Sequence, residues 1–204
     1  MFYHYPLLIR FWHLLNALFF LILLLTGLSM YFSGPDDPLI SFATSVRLHN
    51  ICGIGLSLNY LIFLIGNRLS GNGKNYRLNS KGFVSGIIKQ FRYFMIGYFS
   101  KQKNPFPVTE DRKFNPLQAL SYLIAMYVGV PLLILTGCLL LFPELLPEWK
   151  SGISGLMLSG IIHIITGFLL TVFLLVHIYM CTLGTKPGNN FRAILTGWQT
   201  VEKE

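Results

Sequence analysis

The sequence predicts an all-α membrane protein: a four-helix transmembrane bundle with an amphipathic interfacial helix in its cytoplasmic loop. Three observations carry that class. The 204 residues are 53% hydrophobic and only 12% charged, outside the usual range for a soluble domain. Apolar runs of twenty or more residues occur four times, each long enough to cross a hydrocarbon core of about 30 Å. The basic residues also fall mostly on one side of those runs.

A chain of this length reads as one domain, 1–204, with spans over about 9–31, 43–66, 117–141 and 156–182. Ser33-Gly34-Pro35-Asp36-Asp37-Pro38 makes a compact turn between the first two spans, and Pro143-Glu144-Leu145-Leu146-Pro147-Glu148 a short acidic one between the last two. The stretch 67–116 holds ten basic residues, with Glu110 and Asp111 its only acids. With Arg10, Lys186, Arg192 and Lys203, fourteen of sixteen basic residues lie on one side. The positive-inside rule makes that side cytoplasmic, with the 67–116 loop, the 183–204 tail and both termini inside. That distribution accounts for the net charge of +8 without nucleic acid, for which no basic recognition helix or aromatic RNA-binding motif is present.

Within the loop, from Lys81 to Phe99, apolar Phe83, Ile87, Phe91, Phe94 and Tyr98 recur at helical spacing while Lys89 and Arg92 fall elsewhere. This predicts a helix lying in the membrane interface, against lipid or a partner subunit. Asn189–Val201, with Phe191, Ile194, Leu195 and Trp198, is a shorter candidate of the same kind. The first apolar run has little basic n-region and no A-x-A site, so it is expected to stay in the mature protein. Cys52, Cys138 and Cys181 are isolated within or at the ends of apolar segments and read as buried small residues. There is no C-x-x-C-H for covalent haem attachment and no C-x-x-C metal pair.

The chemistry lies in the histidines. His163 and His177 are fourteen residues apart on the fourth span, which puts both rings on one side of the helix, about 21 Å apart along its axis. Imidazoles inside a membrane need partners. With the orientation above, His13 sits near the inner end of the first span and His49 near the outer start of the second. Depth then pairs His13 with His177 inside and His49 with His163 outside. Two imidazoles per site on facing helices fit haem b. Zinc usually takes four nitrogen or sulfur ligands, di-iron bundles need several glutamates, and ion transport usually shows charged residues at mid-membrane; the span centres carry none. Gly53 and Gly167, one turn beyond the outer histidines, and Gly27, on the His13 side of its helix, are read as places of close approach. Arg10 and Arg47 precede His13 and His49 and are candidate contacts for haem propionates. Thr-Gly recurs at 26–27, 136–137 and 166–167, but no repeat strong enough to use is visible. His4 is given no role.

Arg10-Phe11-Trp12-His13-Leu14-Leu15-Asn16-Ala17, the run ending Leu25-Thr26-Gly27, Arg47-Leu48-His49, Gly66-Asn67-Arg68, Asn115-Pro116-Leu117-Gln118 and Thr196-Gly197-Trp198 together resemble the bacterial dihaem cytochrome b family. This cytochrome b561-like family includes the b-type subunits of membrane-bound nickel–iron hydrogenase, thiosulfate reductase and formate dehydrogenase. The resemblance implies two haem b groups on His13, His49, His163 and His177. It also implies a bacterial inner-membrane anchor that moves electrons between quinone (menaquinone or ubiquinone) and an extracytoplasmic redox subunit. That partner would be hydrogenase-like, an iron–sulfur protein or a multihaem cytochrome c. In the formate dehydrogenase branch, a Lys-aromatic-Asn-x-x-Gln stretch adjoins a quinone. Lys113-Phe114-Asn115-Pro116-Leu117-Gln118 is similar, which makes Asn115 the candidate quinone contact, although Pro116 departs from that branch. Asn115 also reads as a helix N-cap before Pro at the first helical position. The main catalysis would belong to the partner, with the quinone reaction on this chain. A stand-alone cytochrome b561-type oxidoreductase, a haem-free transporter and a structural anchor are the other readings.

Overall fold

A computed structural model describes residues 2–32, 39–76, 82–109, 112–146, 154–183 and 188–199. The sequence readings on Ser33–Pro38, Lys81, Glu110, Asp111, Pro147, Glu148, Lys186, Val201 and Lys203 lie outside them. The chain is an all-α membrane protein with four spanning helices: α1 (Leu7–Phe32), α2 (Phe42–Leu69), a third span over Pro116–Leu141, and the last over Gly155–Thr182. Each starts within one or two residues of its expected place, and the second runs three residues further.

Burial along the spans is inverted relative to a water-soluble protein. Leu18, Leu21 and Leu25 of α1, Leu58, Ile62 and Ile65 of α2, and Ile164, Phe168 and Leu169 of the last span are exposed. The side chains turned inward include Thr26, Ser29, Ser45, Asn59, Thr136, Ser159 and Thr166. Large exposed apolar surface costs nothing against lipid tails, whereas a hydroxyl or amide must find a partner inside the protein. Several of these use their own helix: Thr26 and Thr136 hydroxyls donate to the carbonyls of Ile22 (2.8 Å) and Leu132 (2.7 Å).

The third span is not uniformly α-helical. It is built from three pieces: Pro116–Ile124, a π-helical stretch Ala125–Gly129, and Val130–Leu141. Pro131 lacks an N–H and its ring would crowd the carbonyl four residues back, so the helix widens there by a residue per turn. In the loop between the second and third spans, α3 (Phe83–Arg92) follows Gly82 at φ 73° and continues into a π-turn, Tyr93–Gly97. The expected amphipathic helix is present, and it packs on the rest of the chain through residues outside the predicted stripe. Gly86 and Gln90 are buried, and a Cβ at Gly86 would lie 3.1 Å from Pro116 and 3.4 Å from Phe106. Phe91, on the predicted stripe, is exposed with Val84, Ile88 and Met95. Apolar spacing does not register a glycine, so Gly86, which permits this close packing, is not singled out by it.

The tail helix, α4 (Asn189–Thr196), is shorter than expected. Gly197 ends it at φ 88°, and Trp198–Gln199 form a strand antiparallel to Phe2–Tyr3. A Cβ at Gly197 would lie 2.6 Å from the Tyr3 ring and 2.8 Å from the Tyr5 carbonyl, so this turn requires glycine. Burial of the cysteines is likewise mixed: Cys52 is buried, Cys181 half-buried and Cys138 exposed, since a thiol is apolar enough to face lipid.

The chain forms two compact units. One comprises Met1–Arg10, Gly66–Val128 and Leu175–Glu204; the other comprises Phe11–Ile65 and Gly129–Leu174. The first contains the strand pair, α3 and α4. The second contains two helical hairpins, in which α1 meets α2 through Trp12 Nε1 donating to the Asn59 carbonyl at 3.1 Å. The other hairpin closes where Gly129 admits Leu170, which lies 2.8 Å from the position of a Cβ.

Candidate functional site

The second unit brings His49 and His163 together edge to face. Their ring centroids are 6.2 Å apart with planes at 65°. Each ring is held through Nδ1 by a threonine of the preceding span: Thr26 Oγ1 at 2.9 Å from His49 Nδ1, and Thr136 Oγ1 at 2.8 Å from His163 Nδ1. Both threonines are buried. The residue after each is glycine. A Cβ at Gly27 would stand 3.6 Å from His49 Cε1, and one at Gly137 3.4 Å from His163 Cε1. These are the glycines that the rings lie against. Of the glycines read from sequence, Gly27 is a place of close approach, but to His49 rather than on the His13 side; a Cβ at Gly53 meets only Leu23 at 4.0 Å, and one at Gly167 has nothing within 4 Å among the described residues.

This geometry fits a hexacoordinate metal macrocycle better than a bare metal ion. Two metal–imidazole bonds of about 2 Å each, with the half-width of each ring, span about 6 Å, close to the observed separation. No group of three or more histidine, cysteine, aspartate or glutamate residues occurs among the described residues. A tetrahedral ion would lack ligands here, whereas haem brings four nitrogens of its own and asks the protein for two.

The first unit holds His177. Its Nδ1 lies 3.3 Å from Tyr122 OH, the two rings are 5.8 Å apart, and Cys181 Sγ is 3.9 Å from Nε2. Rings continue from Tyr122 to Phe114 at 4.9 Å and from Phe114 to Tyr76 at 5.8 Å. Asn115 follows Phe114 and caps the third span. Its Oδ1 accepts from Gln118 N at 2.9 Å, and Gln118 Oε1 accepts from Asn115 N at 3.2 Å. This capping box occupies Oδ1 and leaves the Nδ2 donors to other partners. Lys113 Nζ stands over the Tyr5 ring, 4.6 Å from its centroid, and 3.5 Å from Asn72 Oδ1. Burial pushes the Lys113 ammonium down to about 8 and the Tyr5 phenol up to about 12.

His13 belongs to the second unit and His177 to the first, so each is described in its own surroundings. His13 has a buried Nδ1 and lies beside Trp12, with ring centroids 6.4 Å apart. Arg10 donates from its guanidinium to the carbonyls of Ile194 and Leu195, capping the C-terminus of α4 where the helix dipole favours a cation. Arg47 is exposed on α2, beside Ala43, Thr44, Leu48 and Ile51. His4, given no role from sequence, donates to the Thr109 carbonyl at 3.1 Å.

Four apolar spans and a pair of imidazoles 6.2 Å apart fit a membrane protein of the b-type cytochrome class. The family described as prokaryotic cytochrome b561 matches residues 4–197. A curated relative from Escherichia coli (strain K12), "Putative cytochrome YdhU", is 34% identical over 196 residues, covering 96% of this chain and 74% of that protein. No solved structure matches. The chain belongs to the prokaryotic cytochrome b561 family, and is thus a multi-pass, haem b membrane electron-transfer protein.

Proposed function

We propose that this chain is the dihaem anchor subunit of a respiratory oxidoreductase in the bacterial inner membrane, exchanging electrons between quinone and an extracytoplasmic redox partner. His49 and His163 would hold an outer haem b, and His13 and His177 an inner one. Bound haem supplies one-electron chemistry at low reorganisation in an apolar site. The residues do the rest: four imidazoles set two positions at different depths, and apolar helix faces keep water away from both.

The facing pair at 6.2 Å with both Nδ1 atoms on hydroxyls carries this reading. The inner pair is supported by the depth argument from charge and spacing. Asn115 is the proposed quinone contact, supported by its Nδ2 donors and by the ring contacts leading from Phe114 through Tyr122 to His177. Proton exchange with quinone at the cytoplasmic face would couple electron flow to the membrane potential.

Mixing the purified, haem-loaded chain with a short-chain quinol under anaerobic conditions tests the assignment. Reduction of both haems within seconds is the expected result, and haems that dithionite reduces but quinol does not would overturn it. The family description also admits a self-contained oxidoreductase, which would turn over a small acceptor without any partner.

A further inference from the structure

We infer that Thr26 and Thr136 are matched positioning residues for the outer haem, fixing which nitrogen each ligand histidine offers, the rotation of its ring, and its electron donation. The inference rests on His49 and His163 being haem ligands, and goes beyond it by assigning the electronic state of the site to two hydroxyls.

Each threonine has one hydroxyl proton, and a carbonyl of its own helix stands ready to take it: Ile22 at 2.8 Å from Thr26 Oγ1, and Leu132 at 2.7 Å from Thr136 Oγ1. With that proton committed, the oxygen faces the imidazole as an acceptor. A second carbonyl of the same helix, that of Leu23 or Leu133, lies 3.2 Å from each threonine oxygen, so the hydroxyl proton has acceptors on its own helix. The imidazole therefore donates, which makes Nδ1 the protonated nitrogen in both rings and leaves on Nε2 the lone pair that binds a metal.

The arrangement occurs twice with the same order. In each hairpin, Thr-Gly lies on the first helix and the histidine on the second: Thr26-Gly27 with His49, and Thr136-Gly137 with His163. The glycine lets the imidazole edge approach the helix, and the threonine then bonds it. Thr166-Gly167 lacks this use: a Cβ at Gly167 would meet no histidine, nor anything else within 4 Å, among the described residues. Two copies of one device, one in each hairpin, mark it as a socket for a ligand histidine rather than an incidental buried hydroxyl.

Donation from Nδ1–H to oxygen makes the imidazole a stronger electron donor through Nε2. This favours ferric over ferrous iron and holds the outer potential low. The same bonds hold the ring planes at 65°, an angle that gives ferric low-spin haem a strongly anisotropic electron paramagnetic resonance signal.

The test uses the full-length, haem-loaded chain with Thr26→Val, Thr136→Val, the double valine variant, and Thr26→Ser with Thr136→Ser. Potentiometric titration of the visible spectrum and the resonance signal of the ferric protein are read together. The outer transition is the one lost in His163→Ala; a His163→Ala chain that keeps both transitions overturns the underlying ligand assignment, and this inference with it. In the double valine variant, the outer haem is expected to shift about tenfold toward the reduced form at fixed ambient potential, ~59 mV for one electron. Its anisotropic signal should collapse while the other haem is unchanged. The serine variants should match the unmodified protein. Loss of the outer haem from the valine variants alone would also support the assignment. Valine variants with unchanged potential and signal, or serine variants that fail as valine does, would overturn it.

Discussion

Lys113 shows how one buried charge shapes the behaviour of the folded chain. Its amine sits over Tyr5 and near Asn72, outside the spans, and burial lowers it from 10.5 to about 8. Below about pH 8 the amine is charged in both the folded and unfolded chain, so folding carries the full cost of desolvating an ammonium. Between about pH 8 and 10.5 the unfolded chain binds more protons than the folded one, and stability rises with pH. Lys113→Met is expected to raise the melting temperature at pH 7 and to flatten that rise, as read from thermal unfolding in detergent at pH 7 and pH 10. Gly197 is the second sensitive position. Gly197→Ala adds a Cβ at φ 88° against Tyr3 and Tyr5, costing at least about 1–2 kcal/mol. Faster proteolysis of the tail and a melting temperature lower by a few degrees are the expected readouts.

At the scale of elements, the spans were legible because length and apolar composition are read by the bilayer itself, independent of neighbours. Boundaries moved where a local residue decided them: Gly197 cut the tail helix before Trp198, and Pro131 follows a π-helical stretch that hydropathy does not register. The histidines stood out because imidazole is rare among apolar residues. Their hydroxyl partners did not, since threonine in a membrane helix commonly bonds its own backbone. Only the fold shows that Thr26 and Thr136 do this and meet a histidine as well. The Thr-Gly recurrence was the available signal, but one of its three instances lacks a histidine. Asn115 was legible as a cap from Asn-Pro-x-Gln, and the capping box is present. Asn115→Ser separates its two roles. Serine keeps a capping oxygen, so stability should change by only a few tenths of a kcal/mol, while quinol-driven haem reduction should slow at least tenfold. An unchanged rate would remove Asn115 from the quinone site.

For the whole molecule, the pairing of Phe2–Tyr3 with Trp198–Gln199 keeps the two ends of the described chain on one side, as an even number of spans requires. In the proposed orientation, which rests on the basic loop between the second and third spans and the positive-inside rule, that side faces the cytoplasm. Alkaline phosphatase fused at either end should therefore stay inactive, while a cytoplasm-active fluorescent fusion should be bright at both. The central claim is that four histidines hold two haems at two depths, and potentiometric titration of the purified chain by visible spectroscopy tests it most directly. Two one-electron b-haem transitions are expected, with His177→Ala removing one and His163→Ala the other. A chain that carries no haem, or a His177→Ala variant that keeps both transitions, would contradict it.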